Sequence, residues 1–212
     1  MRAVNIGVIG SGAMGLGVAR QLLACDPRLR VTAPLYDPDI RSVREARAEL
    51  GAGFTVCSDY REVVSRPEVE WVMIASWNCS HAEQVVASFL AGKHVFCQKP
   101  LALSLEECVA MKRAWEQSGR MFHIGFTLRY SPHYRRIRAL LEEGRIGQIV
   151  SMEFNETLDF NHGGYIMGDG RRLRKHAGTP LLEKCSHDVD LANWMVGSRV
   201  RRVASFGGLD FF

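Results

Sequence analysis

The feature that most constrains the fold is the glycine-rich stretch GVIGSGAMGLGVAR at residues 7–20, which directly follows an apolar run. Gly10, Gly12 and Gly15 form a G-x-G-x-x-G pattern between a predicted strand and a predicted helix. In such a turn the first glycine permits the tight bend and the second lets backbone amides approach a pyrophosphate, while the third lets the helix pack closely on the strand. A plain glycine turn has the same spacing, so the pattern needs support from its surroundings.

The segment APLYDPD, at the end of the second predicted strand, supplies that support. Asp37 follows the glycine loop at the offset of about 20 residues expected of the acid that accepts hydrogen bonds from the adenosine ribose hydroxyls. Its charge would repel a 2′-phosphate, which favours NAD over NADP as the cofactor. Two alternatives stay open, because Asp37 could cap the next helix, as Asp39 also could, and Arg41 could accommodate NADP.

Short apolar runs alternate with helical patterns from residue 3 to about residue 124. This order is typical of parallel strands joined by crossover helices, and it predicts an α/β fold with a doubly wound Rossmann sheet over residues 1–125. The predicted strands are residues 3–9, 31–36, a weak one at 54–57, 71–76, 94–97 and 121–125.

After residue 125 the pattern changes to that of a partial α+β substrate or oligomerisation domain with an antiparallel-type sheet, over residues 126–212. Two strands are fewer than a sheet usually needs for stability. We therefore expect that part of this domain is missing or that self-association completes its sheet. The predicted elements are a helix from Pro132 to Gly144 capped by Ser131, a strand at 149–156, a loop-rich stretch at 157–178, a helix opened by Thr179 and Pro180, and a strand near 200–206.

Composition excludes several classes of protein. The chain has 212 residues, 47% of them hydrophobic and 24% charged, which is ordinary for a soluble globular protein. The net charge is +4, and the basic runs at 133–138 and 171–175 lack a recognition module, so no nucleic-acid partner is expected. Without an export signal or an apolar run of roughly 20 residues, a cytoplasmic protein without a membrane partner is predicted. The six cysteines lack metal-site spacing and predict buried, reduced thiols and no metal.

Three further stretches accompany the glycine loop: SWNCSH at 76–81, QKP at 98–100 and GTPLLEKCSHDVD at 178–190. Together, over nearly the whole chain, they resemble the glucose-fructose oxidoreductase and inositol dehydrogenase (Gfo/Idh/MocA) family of nicotinamide-dependent sugar and cyclitol dehydrogenases. Trp77 stands where the family usually has proline, and Gln98 where it usually has glutamate. The cofactor-binding residues predicted from the loop and the resemblance are Gly10, Gly12, Ala13, Met14, Gly15, Asp37, Ser76, Trp77, Asn78, His81, Gln98 and Lys99.

Several of these residues have simpler interpretations that the sequence leaves open. Asn78 and His81 could be a helix cap and a surface imidazole, and Trp77 could belong to the core rather than stack on a cofactor ring. Lys99 could be a solvated charge, but at the tip of a strand it could also hydrogen-bond a reacting hydroxyl. The resemblance implies a cis peptide bond before Pro100.

The third stretch resembles the family's D-x-x-x-H-x-x-D helix. Glu183, His187 and Asp190 fall at i, i+4 and i+7, which predicts one shared face of one helix. The resemblance implies that His187, whose ordinary pKa is about 6.5, is the catalytic base, with Glu183 orienting it and Lys99 stabilising the substrate oxygen. The alternative is that these polar side chains form a solvent-exposed stripe on the helix without a catalytic role. The predicted substrate contacts are Arg129, Arg172, Arg174, Lys184 and Asp190, although surface charge explains the arginines equally well.

The resulting prediction is an NAD-dependent oxidoreductase that transfers a hydride between the cofactor and a secondary alcohol or ketone of a sugar, cyclitol or related polyol. A homo-oligomer is expected. The alternatives are a non-catalytic NAD-binding sensor or scaffold, motivated by Gln98 and Glu183, and a Rossmann-type reductase of a dicarboxylate or a tetrapyrrole.

Overall fold

The computed structural model describes residues 3–30, 35–51, 53–157 and 159–207. The chain divides into two compact units, Met1–Gly125 with Leu158–Glu183 and Phe126–Thr157 with Lys184–Phe212. It therefore passes from one unit to the other after Gly125, after Thr157 and after Glu183. The segment before the predicted base, up to Glu183, thus belongs to the first unit.

The first unit is built on a six-stranded sheet in which every described strand pair is parallel. The strand order is β2-β1-β4-β5-β6, with β3 also paired to β1. Register aligns Ile9 with Ile74, Ile74 with Cys97, and Cys97 with Ile124, so four strands end level at one edge. The strands are β1 (Val4–Ile9), β2 (Leu29–Arg30), β3 (Leu35–Tyr36), β4 (Trp71–Ile74), β5 (His94–Gln98) and β6 (Phe122–Gly125).

Both faces of this sheet carry a hydrophobic core. Successive strand residues point to opposite faces, so Val8 and Met73 join one buried cluster while Ile9 and Ile74 join the other. Each of these four side chains is at most 1% exposed. Burial on both faces explains the nearly continuous apolar runs in the sequence and confirms the predicted parallel sheet.

The helix that begins at Leu105 has a cap that the sequence displays. Ser104 Oγ accepts a hydrogen bond from the Glu107 amide (3.2 Å) and Glu107 Oε2 accepts one from the Ser104 amide (3.1 Å), a reciprocal capping box. The α-helices are α1 (Ala13–Cys25), α2 (Ile40–Leu50), α3 (Tyr60–Ser65), α4 (His81–Leu90), α5 (Leu105–Ser118), α6 (Pro132–Glu142), α7 (Phe160–Met167), α8 (Arg174–Ala177), α9 (Pro180–Glu183) and α10 (Ser186–Val196).

Two expectations for the first unit need correction. The weak strand at 54–57 is reduced to a single parallel bridge between Leu35 and Val56, and residues 31–34 of the predicted second strand lie outside the described residues. The stretch 157–178 was expected to be rich in loops, which is wrong, because it contains α7 and α8. The carboxylate of Asp159 nucleates α7 by accepting hydrogen bonds from the amides of residues 161 and 162, at 2.8 and 3.0 Å.

The second unit contains α6, α10 and a one-turn 3₁₀ helix at Thr127–Tyr130. Pro132 occupies the first position of α6, as predicted, although the Ser131 side chain makes no capping hydrogen bond. Arg138 of α6 donates hydrogen bonds to the carbonyl oxygens of Trp194 and Met195, the latter at 3.0 Å. These carbonyls lie in the last turn of α10, where a cation also complements the helix dipole.

The strands predicted at 149–156 and near 200–206 are not formed by the described residues of the second unit. A strand is stable only when another strand satisfies its backbone groups, and the described part of this unit contains no strand that could pair with either segment. The alternating pattern at 149–156 was therefore insufficient to predict the local structure.

The cysteines are only partly as expected. Cys57 and Cys97 are buried, but Cys25 and Cys79 are exposed, so the prediction of buried thiols is wrong for those two. Cys97 sits in β5 inside the core, where burial raises the pKa of its thiol. Among the helices of the described residues, none has the length and apolar character needed to cross a bilayer.

Candidate functional site

The glycine loop joins β1 to α1 at the sheet edge. Gly10 has φ +90°, and a Cβ there would lie 2.5 Å from the carbonyl carbon of Ala75 and 2.7 Å from its oxygen. A Cβ at Gly15 would lie closer than 3.0 Å to the Gly10 carbonyl oxygen and 3.2 Å from the Ala75 Cβ. Gly12 is different, since no atom lies within 4 Å of its virtual Cβ and no side chain caps α1 there. Gly10 and Gly15 thus permit close packing, and Gly12 leaves the amide end of α1 open.

Asp37, just after β3, is fixed by two backbone amides. Its Oδ2 accepts a hydrogen bond from the Ser11 amide at 2.7 Å, and its Oδ1 accepts one from the Asp39 amide at 2.8 Å. The cap of α2 is Asp39, which accepts a hydrogen bond from the Arg41 amide at 2.9 Å and pairs with the Arg41 guanidinium at 3.0 Å. The alternative role of Asp37 as helix cap is therefore excluded, and its carboxylate is held against the glycine loop.

The turn after β4 contains Ser76, Trp77 and Asn78. The Ser76 hydroxyl donates to the side-chain oxygen of Gln84 in α4. The Asn78 amide donates to the Ala177 carbonyl at 2.9 Å and to the Glu183 carboxylate. Asn78 thus connects the end of β4 with the segment that returns to the first unit.

His81, at the start of α4, is completely buried. Its Nδ1 lies 2.9 Å from the Pro100 carbonyl oxygen and its Nε2 lies 3.2 Å from the Ser76 carbonyl oxygen. Burial lowers the pKa of this imidazole and outweighs the opposing effects of the two carbonyl groups and of Glu183. The surface imidazole considered as an alternative is excluded, and His81 connects the turn after β4 to the segment after β5.

Lys99 follows β5, and the Lys99–Pro100 peptide bond is cis, as the resemblance implied. The ammonium group donates a hydrogen bond to the Glu183 carbonyl oxygen at 2.6 Å and lies 3.5 Å from the Glu183 carboxylate Oε1. The two side chains are only 16% and 18% exposed. A partly buried ion pair is screened less by solvent than a surface pair, so Lys99 is not a plain solvated charge.

Gln98 is 6% exposed, and among the described residues its Nε2 has no hydrogen-bond partner. Gly125 makes room for this side chain, since a Cβ at Gly125 would lie 2.6 Å from Gln98 Oε1. Gly125 was not singled out from the sequence, where its only signal was its position at the end of the predicted strand 121–125. A buried, unpartnered amide at the sheet edge is what a bound polar ligand would complete.

In the second unit, His187 lies in α10, is 8% exposed and contacts the Phe126 ring edge to face, with ring centroids 6.0 Å apart. Arg129 donates two hydrogen bonds of 2.6 Å to the two carboxylate oxygens of Asp190. This bidentate pair raises the pKa of Arg129. Two residues predicted as separate substrate contacts therefore bind each other.

The prediction that Glu183, His187 and Asp190 share one helix is wrong. Helix α9 ends at Glu183 and α10 begins at Ser186. The Glu183 carbonyl, which would accept the amide four residues later in a continuous helix, instead accepts the Lys99 ammonium, while the His187 amide donates to the Lys184 carbonyl at 3.3 Å. The spacing in sequence therefore does not put Glu183 on the helix face of His187.

The other predicted substrate residues are placed as follows. Lys184 pairs with Glu156 at 3.0 Å, Arg174 is exposed, and the side chain of Arg172 lies outside the described residues. Within the described ranges, no group of three or more His, Cys, Asp or Glu side chains is arranged to hold a metal ion.

A parallel sheet with an open glycine loop, an acid fixed beside that loop and a lysine held at the same edge defines a dinucleotide-binding α/β protein. The chain matches the family described as an oxidoreductase family with an NAD-binding Rossmann fold over residues 4–126, and the GFO/IDH/MocA C-terminal domain over residues 134–210. It belongs to the Gfo/Idh/MocA oxidoreductase family and carries that family's NAD-binding Rossmann domain, which confirms the resemblance seen in the sequence.

The chain is similar to an inositol 2-dehydrogenase of Gluconacetobacter diazotrophicus, with 36% identity over 196 residues that cover 91% of this chain and 54% of the relative. An oxidoreductase domain protein from Kribbella flavida is 29% identical, with a TM-score of 0.74 and coverage of 94% and 55%. The scyllo-inositol dehydrogenase of Lactobacillus casei, solved with NAD(H) and scyllo-inositol, shares the fold at 23% identity, with a TM-score of 0.77 and coverage of 92% and 57%. The chain spans about half the length of the curated relatives that it matches.

Proposed function

We propose that this chain takes part in NAD-dependent hydride transfer between a secondary alcohol and the corresponding ketone of a sugar, cyclitol or related polyol. The observation that carries the proposal is Lys99, held by Glu183 at the sheet edge where the glycine loop opens. Ligands of open parallel sheets bind at this edge. The name of the similar inositol 2-dehydrogenase supports a cyclitol or a related polyol as the substrate class.

The residues at this edge fit a dinucleotide. We assign the pyrophosphate to the amide end of α1 at Gly12, and the adenosine ribose to the Asp37 carboxylate. Because Asp37 is negatively charged, the site is proposed to prefer NAD over NADP. When bound, NAD supplies the hydride acceptor. The other residues proposed to contact it are Ala13, Met14, Ser76, Trp77, Asn78, Gln98 and Lys99.

Alcohol oxidation also requires removal of the hydroxyl proton. His187 is proposed as the group that takes this proton, since an imidazole is suited to proton transfer near neutral pH. Lys99 is proposed to donate a hydrogen bond to the same oxygen and to stabilise the negative charge that develops there. The contacts of Glu183 favour a role in positioning Lys99, with Asn78 holding the carboxylate in place. In the reverse direction the same groups would protonate a ketone.

The test is a panel of cyclitols, sugars and polyols, scored by NADH formation with the full chain. A substrate should reduce NAD faster than NADP, and Lys99→Ala should abolish most turnover. Lys112→Ala is the matched control, because Lys112 lies on the exposed surface of α5 and pairs with Glu116 in the same helix. A chain that binds NAD but reduces it with no member of the panel would contradict the proposal.

A further inference from the structure

The guanidinium of Arg171 contacts two aromatic rings of the first unit. Its guanidinium carbon lies 4.1 Å from the Tyr165 ring centroid and 5.3 Å from the Trp77 ring centroid. Contacts of this kind orient a guanidinium without neutralising its charge. Tyr165 is 48% exposed and Trp77 is 39% exposed, and Arg171 itself is half-buried.

This arrangement differs from that of several other arginines in the chain. Arg61, Arg129 and Arg138 each pair with a carboxylate. None of the described ion pairs involves Arg171, and its guanidinium contacts the rings of Tyr165 and Trp77. Contact with an aromatic ring does not use up the N–H donors of a guanidinium, and a planar fork of such donors matches the geometry of a carboxylate or phosphate.

The position of Arg171 is set by the turn after β4. Trp77 is followed directly by Asn78, whose amide holds the Glu183 carboxylate, and this carboxylate lies 3.5 Å from the Lys99 ammonium. Gly170 fits closely beneath the Trp77 ring, because a Cβ there would lie 2.8 Å from Trp77 Cη2. The arginine is therefore connected by successive contacts to the proposed catalytic lysine.

The segment around Arg171 is also strongly basic. Arg171, Arg174 and Lys175 fall within the run RRLRK, and none of the described ion pairs involves these three residues. A neutral ligand would leave this positive charge uncompensated, whereas an anion would neutralise part of it.

We propose that Arg171 binds an anionic substituent of the substrate, a carboxylate or a phosphate, so that the chain prefers acidic sugars or polyols over neutral ones. This inference rests on the proposed function and specifies the substrate class of the same site. Trp77 and Tyr165 position the guanidinium, and its edge donates paired hydrogen bonds to two oxygens of the anion.

The experiment measures binding by titration calorimetry to the full chain loaded with NADH, using D-glucose, D-glucuronate and D-glucose 6-phosphate as probes. At least one acidic probe should bind about tenfold or more tightly than glucose. Arg171→Gln should weaken binding of that probe by about 10- to 100-fold without changing the affinity for glucose. Arg113→Gln is the matched control, since Arg113 is an exposed arginine of α5 outside the basic run, and it should have little effect.

Tighter binding of glucuronate alone assigns the subsite to a carboxylate, and tighter binding of glucose 6-phosphate alone assigns it to a phosphate. Equal binding of all three probes, or equal losses in the Arg171 and Arg113 variants, would overturn the inference. Arg171→Lys, which keeps the charge but not the paired donors, should give an intermediate loss and serves as the test if the glutamine variant fails to fold.

Failure of the proposed function is distinguishable from failure of this inference. Arg171-dependent binding of an acid without any NADH formation would remove the proposed function and leave the anion site. NADH formation from neutral polyols, at the same rate in the parent and in Arg171→Gln, would support the proposed function and remove the anion site.

Discussion

Alanine substitutions at the glycines of the first loop and helix should separate fold stability from cofactor binding. A methyl group at Gly15 would meet the Gly10 carbonyl oxygen at less than 3.0 Å, and the Ala75 Cβ at 3.2 Å. One at Gly12 would meet no atom of the protein within 4 Å, and the same holds for Gly17 inside α1. We therefore expect Gly15→Ala to lower both the stability of the fold and the affinity for NAD. Gly12→Ala should lower the affinity for NAD alone, and Gly17→Ala should lower neither the stability nor the affinity.

The magnitudes follow from what each methyl group displaces. At Gly15 the obstacle is backbone rather than a flexible side chain, and overpacking of this kind costs about 1–3 kcal/mol of the free energy of unfolding. At Gly17 the alanine should stabilise the helix by about 0.5–1 kcal/mol, because glycine is the poorer helix former. At Gly12 the change in stability should stay below about 1 kcal/mol, while the methyl group obstructs the approach of the pyrophosphate and weakens NAD binding by about tenfold or more.

Urea unfolding gives the stabilities, and calorimetric titration with NAD gives the affinities. The Gly17 variant is the control for replacing a glycine in this helix. A Gly12→Ala protein with unchanged affinity for NAD would refute the assignment of the pyrophosphate to this loop. A Gly15→Ala protein as stable as the parent would refute the packing argument.

Three further predictions test individual side chains. Asp37→Ala should weaken NAD binding and narrow the difference in affinity between NAD and NADP. Equal affinities for both cofactors in the unmodified protein would contradict the role of Asp37 at the adenosine ribose. Glu183→Gln should lower turnover by less than removal of Lys99 does, with the Kd for NAD unchanged; a marked loss of NAD affinity would contradict a role confined to positioning Lys99. Burial, followed by the charge of Glu156, raises the pKa of the Asp188 carboxyl above its ordinary value of 3.8. The folded state therefore favours the protonated carboxyl. The stability that this preference contributes is complete below pH 3.8 and is lost as the pH rises through the raised folded-state pKa. Asp188→Asn should therefore gain stability relative to the parent at pH 7 but not at pH 3, as measured by urea unfolding, and an equal effect at both pH values would contradict this account.

Features governed by local rules could be predicted from the sequence. The parallel sheet follows from alternating apolar runs and helical patterns, and the left-handed conformation of Gly10 follows from its place between a strand and a helix. The capping box at Ser104 and Glu107 also follows from spacing alone. In each case the physical cause lies within a few residues, so the sequence contains it.

Features that depend on distant contacts could not be predicted. At the break between α9 and α10 the Glu183 carbonyl accepts a hydrogen bond from the Lys99 ammonium, and these two residues are far apart in sequence. The contact between Arg171 and the Trp77 ring also joins residues that are far apart in sequence. The alternation at 149–156 predicted a strand, but without a pairing strand among the described residues the pattern does not determine the local structure.

The most direct test of the central claim is to measure turnover and NAD affinity together in His187→Ala. The claim is that this chain oxidises an alcohol through a base distinct from the residues that hold the cofactor. Turnover on the best substrate should fall on the order of 10² to 10⁴-fold, while the Kd for NAD changes by less than about twofold. His133→Ala, at an exposed histidine of α6, should behave like the parent protein. Turnover near the original rate from pH 6 to pH 9 in the His187 variant would contradict the account.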